Sequence, residues 1–162
     1  MKTASLTGWI GHFAAACMMF ALAVPAQATE SVIKEAEVPA PVLAAFKKKY
    51  PSAGRLEFER ETEHGKQFYE IKWRDGAREL ETKFTAEGEL VEEEEVITER
   101  ALPEPVRKSL AASAHAKAKI KKIERVTHKD KPEQATFEIK IAEGGKTIEL
   151  LYDAAGKLLG TE

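Results

Sequence analysis

The chain has 162 residues with 25 Lys and Arg against 27 Asp and Glu, and a single cysteine. Near-balanced charge argues against nucleic acid as a partner, because phosphate binding normally shows as a strongly basic domain. The lone Cys17 excludes an internal disulfide framework, so stability has to come from apolar burial.

Residues 1–28 read as a cleaved secretory signal: Lys2, an apolar stretch from Trp9 to Val24, and the small-residue exit Ala26-Gln27-Ala28. The uninterrupted run from Phe13 to Val24 is 12 residues, against roughly 20 for a spanning helix, so no stable membrane span is expected after processing. Cys17 is a poor lipidation site, with Ala14 three residues before it and the apolar Met18–Val24 after it. Cleavage would remove the only cysteine, and with it any thiol nucleophile or cysteine metal site. The exported chain would be periplasmic or secreted. Residues 29–37 read as a linker.

From residue 38 a proline-led segment opens a helix, with Val42, Leu43, Phe46 and Tyr50 at helical spacing and Pro51 stopping it. Lys47, Lys48 and Lys49 sit in its last turn, where they suit the helix dipole. A charged alternating run around Phe58 then turns at His64-Gly65. Tyr69, Ile71 and Trp73 alternate with Phe68, Glu70, Lys72 and Arg74, a period of two that gives one apolar and one mostly charged face. Asp75-Gly76 is a hairpin signal; Leu80 and Phe84 belong to the returning strand, and Glu87-Gly88 marks the next turn.

The same grammar returns. Val38-Pro39-Ala40-Pro41-Val42 reappears as Leu102-Pro103-Glu104-Pro105-Val106, and Tyr69-Glu70-Ile71-Lys72 as Phe137-Glu138-Ile139-Lys140. Phe84-Thr85-Ala86-Glu87-Gly88-Glu89-Leu90 reappears as Tyr152-Asp153-Ala154-Ala155-Gly156-Lys157-Leu158. The second helix is expected over Pro105 to about Ala118, and strands follow with turns at Gly144-Gly145 and Gly156. The expected fold is α+β: two tandem repeats, residues 38–97 and 98–162, each a short helix on an antiparallel sheet of about four strands. Residues 38–97 hold 10 basic and 14 acidic side chains and residues 98–162 hold 13 and 10, so the halves are opposite in sign.

This unit of helix, charged hairpin and closing aromatic-x-x-x-Gly-x-Leu turn resembles the PepSY-like domains, including those described as beta-lactamase-inhibitor-like. The resemblance covers nearly all of residues 38–162, twice over. It implies a small exported binding or inhibitory module and no enzyme; the enzyme inhibited does not transfer with a fold.

No nucleophile motif occurs, and His64, His115 and His128 are isolated in sequence with no ligand spacing, so no metal or cofactor is expected. The run Glu92-Glu93-Glu94-Glu95 reads first as a charged strand edge that discourages pairing, and second as a docking patch for a basic partner. Lys117, Lys119, Lys121 and Lys122 read as the solvated end of the second helix passing into a strand. Tyr69, Ile71 and Trp73 read as core. The open sheet face should carry Phe68, Glu70, Lys72 and Arg74, with Glu138 and Lys140 from the second copy, and Phe68 is the one aromatic placed for exposure. These residues are the candidate protein-binding surface, the partner lying in the cell envelope or medium. Two rival readings are an enzyme or metal-dependent factor whose site assembles only in the fold, and a structural envelope protein. Mass spectrometry of the protein from its own cells should find Thr29 as an unmodified N-terminus; an acylated Cys17 at the terminus would overturn cleavage after Ala28.

Overall fold

The computed structural model describes residues 29–161, and the signal-peptide reading lies outside them. In chain order come strand β1 (Thr29–Ile33), a 3-10 turn (Glu35–Glu37), helix α1 (Ala40–Lys49) and strands β2 (Glu57–Glu63), β3 (Lys66–Asp75), β4 (Arg78–Thr85) and β5 (Leu90–Val96). A second 3-10 turn (Glu99–Ala101) leads to helix α2 (Glu104–Ala112) and strands β6 (Lys119–His128), β7 (Thr136–Glu143), β8 (Lys146–Asp153) and β9 (Leu158–Thr161). All nine strands form one antiparallel sheet in sequential order.

Three sequence expectations change. The sheet is single, because β5 pairs with β6 from Glu92↔His128 to Val96↔Glu124. The segment read as a linker instead supplies β1, which pairs with β2 and covers an edge that would otherwise leave backbone groups open. Helix α2 ends at Ala112, where the Ser113 hydroxyl donates to the Leu110 carbonyl at 2.8 Å. Lys119, Lys121 and Lys122 therefore lie on β6 and not on a helix end.

Local chemistry accounts for the elements. Pro41 and Pro105 stand in the first turns of their helices, where a missing N–H costs nothing. The two-residue loops His64-Gly65 and Gly144-Gly145 have positive φ at both positions, the geometry that matches the twist of paired strands. Gly88 and Gly156 are required for a different reason. A Cβ on either would stand 2.5 Å from the carbonyl oxygen of Pro41 or Pro105 respectively, so each closing turn can dock on the first turn of its helix only as glycine.

One face of the sheet carries the apolar core in two clusters. Val42 and Phe46 of α1 pack on Phe58, Tyr69, Ile71, Trp73 and Phe84, while Val106 and Leu110 of α2 pack on Ile123, Phe137, Ile139, Ile141, Leu150 and Tyr152. The rings of Phe46 and Trp73 meet edge to face at 5.9 Å. The Tyr69, Ile71, Trp73 stripe is thus core.

The sheet is strongly curled. Strands β1 and β7 are six pairings apart, roughly 29 Å in a flat sheet at about 4.8 Å per step, yet Glu30 of β1 reaches Lys140 of β7 at 3.9 Å. Both residues lie on the face opposite the helices, so the helices cover the convex side and the charged face is concave. Register shifts between Lys83 and Phe84, Ile120 and Lys122, and Leu151 and Tyr152 mark bulges, which bend and over-twist their strands. Phe84 is fully buried, so Phe84→Ala should cost about 3–5 kcal/mol in urea denaturation. The exposed Val32→Ala should stay within about 0.5 kcal/mol; equal losses would contradict this core.

Candidate functional site

The concave face is built by strand alternation. Pairing places Glu59, Glu61, Glu70, Lys72, Glu81, Lys83, Glu92 and Glu94 on it from β2 to β5. Strands β6 to β8 add Lys122, Glu124, Glu138, Lys140 and Glu149. Curvature takes these groups out of water. Glu70 is 5 % exposed, Glu94 7 % and Glu124 1 %, whereas a flat sheet would have left them solvated.

Four lysines organise the carboxylates. Lys83 lies 2.8 Å from Glu61 and 3.6 Å from both Glu70 and Glu92. Lys72 bridges Glu59 at 2.9 Å and Glu81 at 3.2 Å, and Lys122 joins Glu81 to Glu124. Lys140 reaches Glu149 at 3.5 Å and Glu124 at 3.8 Å. The carboxylates pull the Lys72, Lys83, Lys122 and Lys140 ammonium groups upward, overcoming the opposite effect of burial.

The acids divide by environment. Burial would raise Glu81, but Lys122 and Lys72 hold it below its ordinary value. Burial raises Glu70 to about 7 against the pull of Lys83, with Glu61 and Glu81 adding to the rise. Burial and then Glu149 raise Glu138 to about 9. Glu94 is raised by burial first and next by Glu124, Glu138 and Glu70. Between these side chains lies a cavity of about 270 Å³, lined from both ends of the sheet: by Glu30, Glu61, Glu70 and Glu94 on one side and Glu138 and Lys140 on the other.

The candidate residues fall as follows. Phe68, Glu70, Lys72 and Arg74 share the concave face of β3. Glu70 is buried among the lysines; Phe68 is half-buried with the Lys83 ammonium 5.9 Å from its ring centre. Lys72 is half-buried in the ion network, and Arg74 is exposed at the rim, paired with Glu79 at 2.6 Å. The surface expected to be open and broad is a groove, because the curl brings the sheet ends together.

The acidic run is a correction. Strand β5 is central, so Glu92–Glu95 is not an edge. Glu92 and Glu94 point into the groove. Glu93 and Glu95 lie on the helix side between the two apolar clusters, where Glu93 accepts from the Tyr50 hydroxyl and pairs with Lys49 at 2.8 Å. Glu95 meets Arg78 at 2.8 Å and Arg125 at 2.5 Å. Sequence reasoning missed the importance of Lys83, Lys122 and Glu94; the signal was present as lysine alternating with acid along β4 and β6, but which of them meet depends on register.

Among the described residues, Glu81, Glu94 and Glu124 are the carboxylates close enough to share a metal ion, with ligand atoms within 4.8 Å of one another. The Lys72, Lys122 and Lys140 ammonium groups already neutralise Glu81 and Glu124 there, and hard cations such as calcium ask for six to eight oxygens. The histidines are dispersed: His64 beside Glu63, His115 on Glu143 at 2.7 Å and His128 on Glu92 at 3.2 Å.

The chain belongs to the family described as "Putative beta-lactamase-inhibitor-like, PepSY-like", whose model matches residues 26–92 and again 67–160. Solved structures with similar folds come from Bacteroides. A DUF2874 family protein of Bacteroides ovatus has a TM-score of 0.61 at 21 % identity, covering 76 % of this chain and 86 % of its own. A Bacteroides eggerthii protein, named as provisionally periplasmic, has a TM-score of 0.64 at 20 % identity, covering 77 % and 88 %. A BLIP-like protein of Bacteroides fragilis has a TM-score of 0.58 at 21 % identity, covering 76 % and 85 %. At these identities the likeness is one of fold. No curated protein matches the sequence. No helix among the described residues is long and apolar enough to cross a membrane.

Protonation of these acids links stability to pH. Glu70, Glu94, Glu124 and Glu138, raised in the folded state, bind more protons folded than unfolded, so their contribution is complete below about pH 4.5 and is lost as pH rises through their folded values. Glu81, Glu93 and Glu95, which are lowered, contribute above that value and lose it in acid. Scanning calorimetry should therefore find the highest melting temperature near pH 5 and a decline toward pH 9. Glu138→Gln should flatten the upper part of that decline. A melting temperature that rises from pH 5 to pH 9 would contradict the assignment.

Proposed function

We propose that the protein is an exported, non-catalytic binding module made of two tandem PepSY-like repeats, residues 38–97 and 98–162. It holds a protein of the envelope or medium in the concave groove around Phe68, Glu70, Lys72 and Arg74, with Glu138 and Lys140 on the opposite wall. The observation that carries this reading is the groove itself. Ion pairs buried in a sheet face contribute little to stability, and apolar side chains of similar volume would often serve the fold as well or better. A recessed face filled with charge is therefore better explained by recognition, where charged groups select a partner and orient it.

The twofold order of 3-10 turn, helix and four strands supports the repeat assignment, as do the matching contacts of Gly88 with Pro41 and Gly156 with Pro105. The family's description and the BLIP-like name of the Bacteroides fragilis relative support binding to an enzyme as the form the activity takes. The provisional periplasmic naming of the Bacteroides eggerthii relative supports export. The polar cavity also suits a protein partner better than a drug-like ligand, which prefers a mostly apolar pocket.

Affinity capture from the producing organism, followed by reconstitution with the purified captured protein, tests this. Phe68→Ala combined with Arg74→Glu should weaken the reconstituted complex at least tenfold while leaving the melting temperature within a few degrees. Lys72 is unsuitable as a probe because it holds Glu59 and Glu81. A complex that survives the double substitution unchanged, or no captured protein at any salt concentration, would reject the reading.

A further inference from the structure

Lysines are distributed unevenly through the groove. Glu59, Glu61, Glu70, Glu81, Glu92, Glu124 and Glu149 each have a lysine ammonium within ion-pair distance. Among the described residues, Glu94 has no hydrogen bond and no ion pair, although 93 % of its surface is buried. Glu138, which shares the cavity wall with it, has no ion pair either and hydrogen-bonds to another acid, Glu149. Both stand on the concave face near the middle of the sheet, separated by β6, where the buried Val126 pairs with Glu94 on one side and Thr136 on the other. The cavity walls carry nine glutamates against Lys83, Lys140 and His128.

A buried carboxylate without a partner is costly to keep. Nothing in the fold uses Glu94: it caps no helix, closes no turn and joins no lysine. Its chemistry fits a cation that comes from outside.

Resting on the reading above, we propose that the groove receives a basic side chain of the bound protein, a lysine ammonium or arginine guanidinium, seated against Glu94 and Glu138 over Val126. The lysines at Lys83, Lys122 and Lys140 already neutralise the surrounding acids, so Glu94 and Glu138 are the cavity carboxyls still open to a cation from outside. Burial pushes both acids upward, so seating a cation displaces protons from them, and the heat of binding varies with the ionisation enthalpy of the buffer.

Calorimetric titration of the exported chain at low salt with acetyl-Gly-Lys-Lys-Lys-Gly-amide tests the proposal. The peptide should bind with release of protons, and the same peptide with acetylated lysines should not bind. Glu94→Gln with Glu138→Gln should weaken binding at least tenfold, whereas Glu104→Gln, on the exposed first turn of α2, should leave it unchanged. The double glutamine variant should melt no lower than the wild type, because it removes two uncompensated buried acids. Equal binding to the double variant would show attraction to the overall acidic surface and overturn the seat; so would no binding of the peptide. Binding of calcium chloride alone, abolished by Glu94→Gln and unaccompanied by peptide binding, would replace it with a metal site. A reconstituted protein complex that is insensitive to the two glutamine substitutions but lost in Phe68→Ala with Arg74→Glu would overturn the seat and leave the binding module standing.

Discussion

The backbone ladder between β5 and β6, from Glu92↔His128 to Val96↔Glu124, is the joint on which the rest of the molecule depends. Without it each helix would cover a small sheet with two open edges, and a charged face on such a sheet would be flat and fully hydrated. With it, nine strands share one twist, the edges are reduced to β1 and β9, and the accumulated curvature brings residues from opposite ends of the sheet into reach. The strand at the joint is the most acidic segment of the chain. Three of its four glutamates meet cations, Glu93 and Glu95 through Lys49, Arg78 and Arg125 on the helix side and Glu92 through Lys83 in the groove, where the His128 ring also lies 3.2 Å from Glu92.

Curvature and charge are then linked. The two apolar clusters lie on the convex side under separate helices, and each is closed by its own glycine turn. The concave side holds the carboxylates and lysines at side-chain distances set by strand spacing. Desolvation there makes each unpaired acid expensive and each pair conditional on its geometry. The result is a groove whose electrostatic pattern is specified residue by residue, while overall stability rests on the apolar clusters on the other side.

Family membership and the Bacteroides structures agree with the fold. The pattern of Lys72, Lys83, Lys122 and Lys140 among the glutamates distinguishes the groove's middle, at Glu94 and Glu138, from its surroundings.

Local periodicity and turn chemistry were legible in the sequence. Alternation named Tyr69, Ile71 and Trp73 as core and put Phe68, Glu70, Lys72 and Arg74 on one face; prolines located both helix starts, and glycine-bearing turns located the hairpins, because each depends on interactions within a few residues. The acidic run misled because four consecutive glutamates look solvated, and only a partner strand with cations on both faces makes a central position tolerable. The Thr29–Ile33 strand was hidden because a short polar segment becomes a strand only when an open edge is offered to it. Burial of Glu70, Glu94 and Glu124, and the contact of Glu30 with Lys140, were decided by tertiary structure alone: they follow from twist summed over nine strands, a quantity that no local window of residues contains.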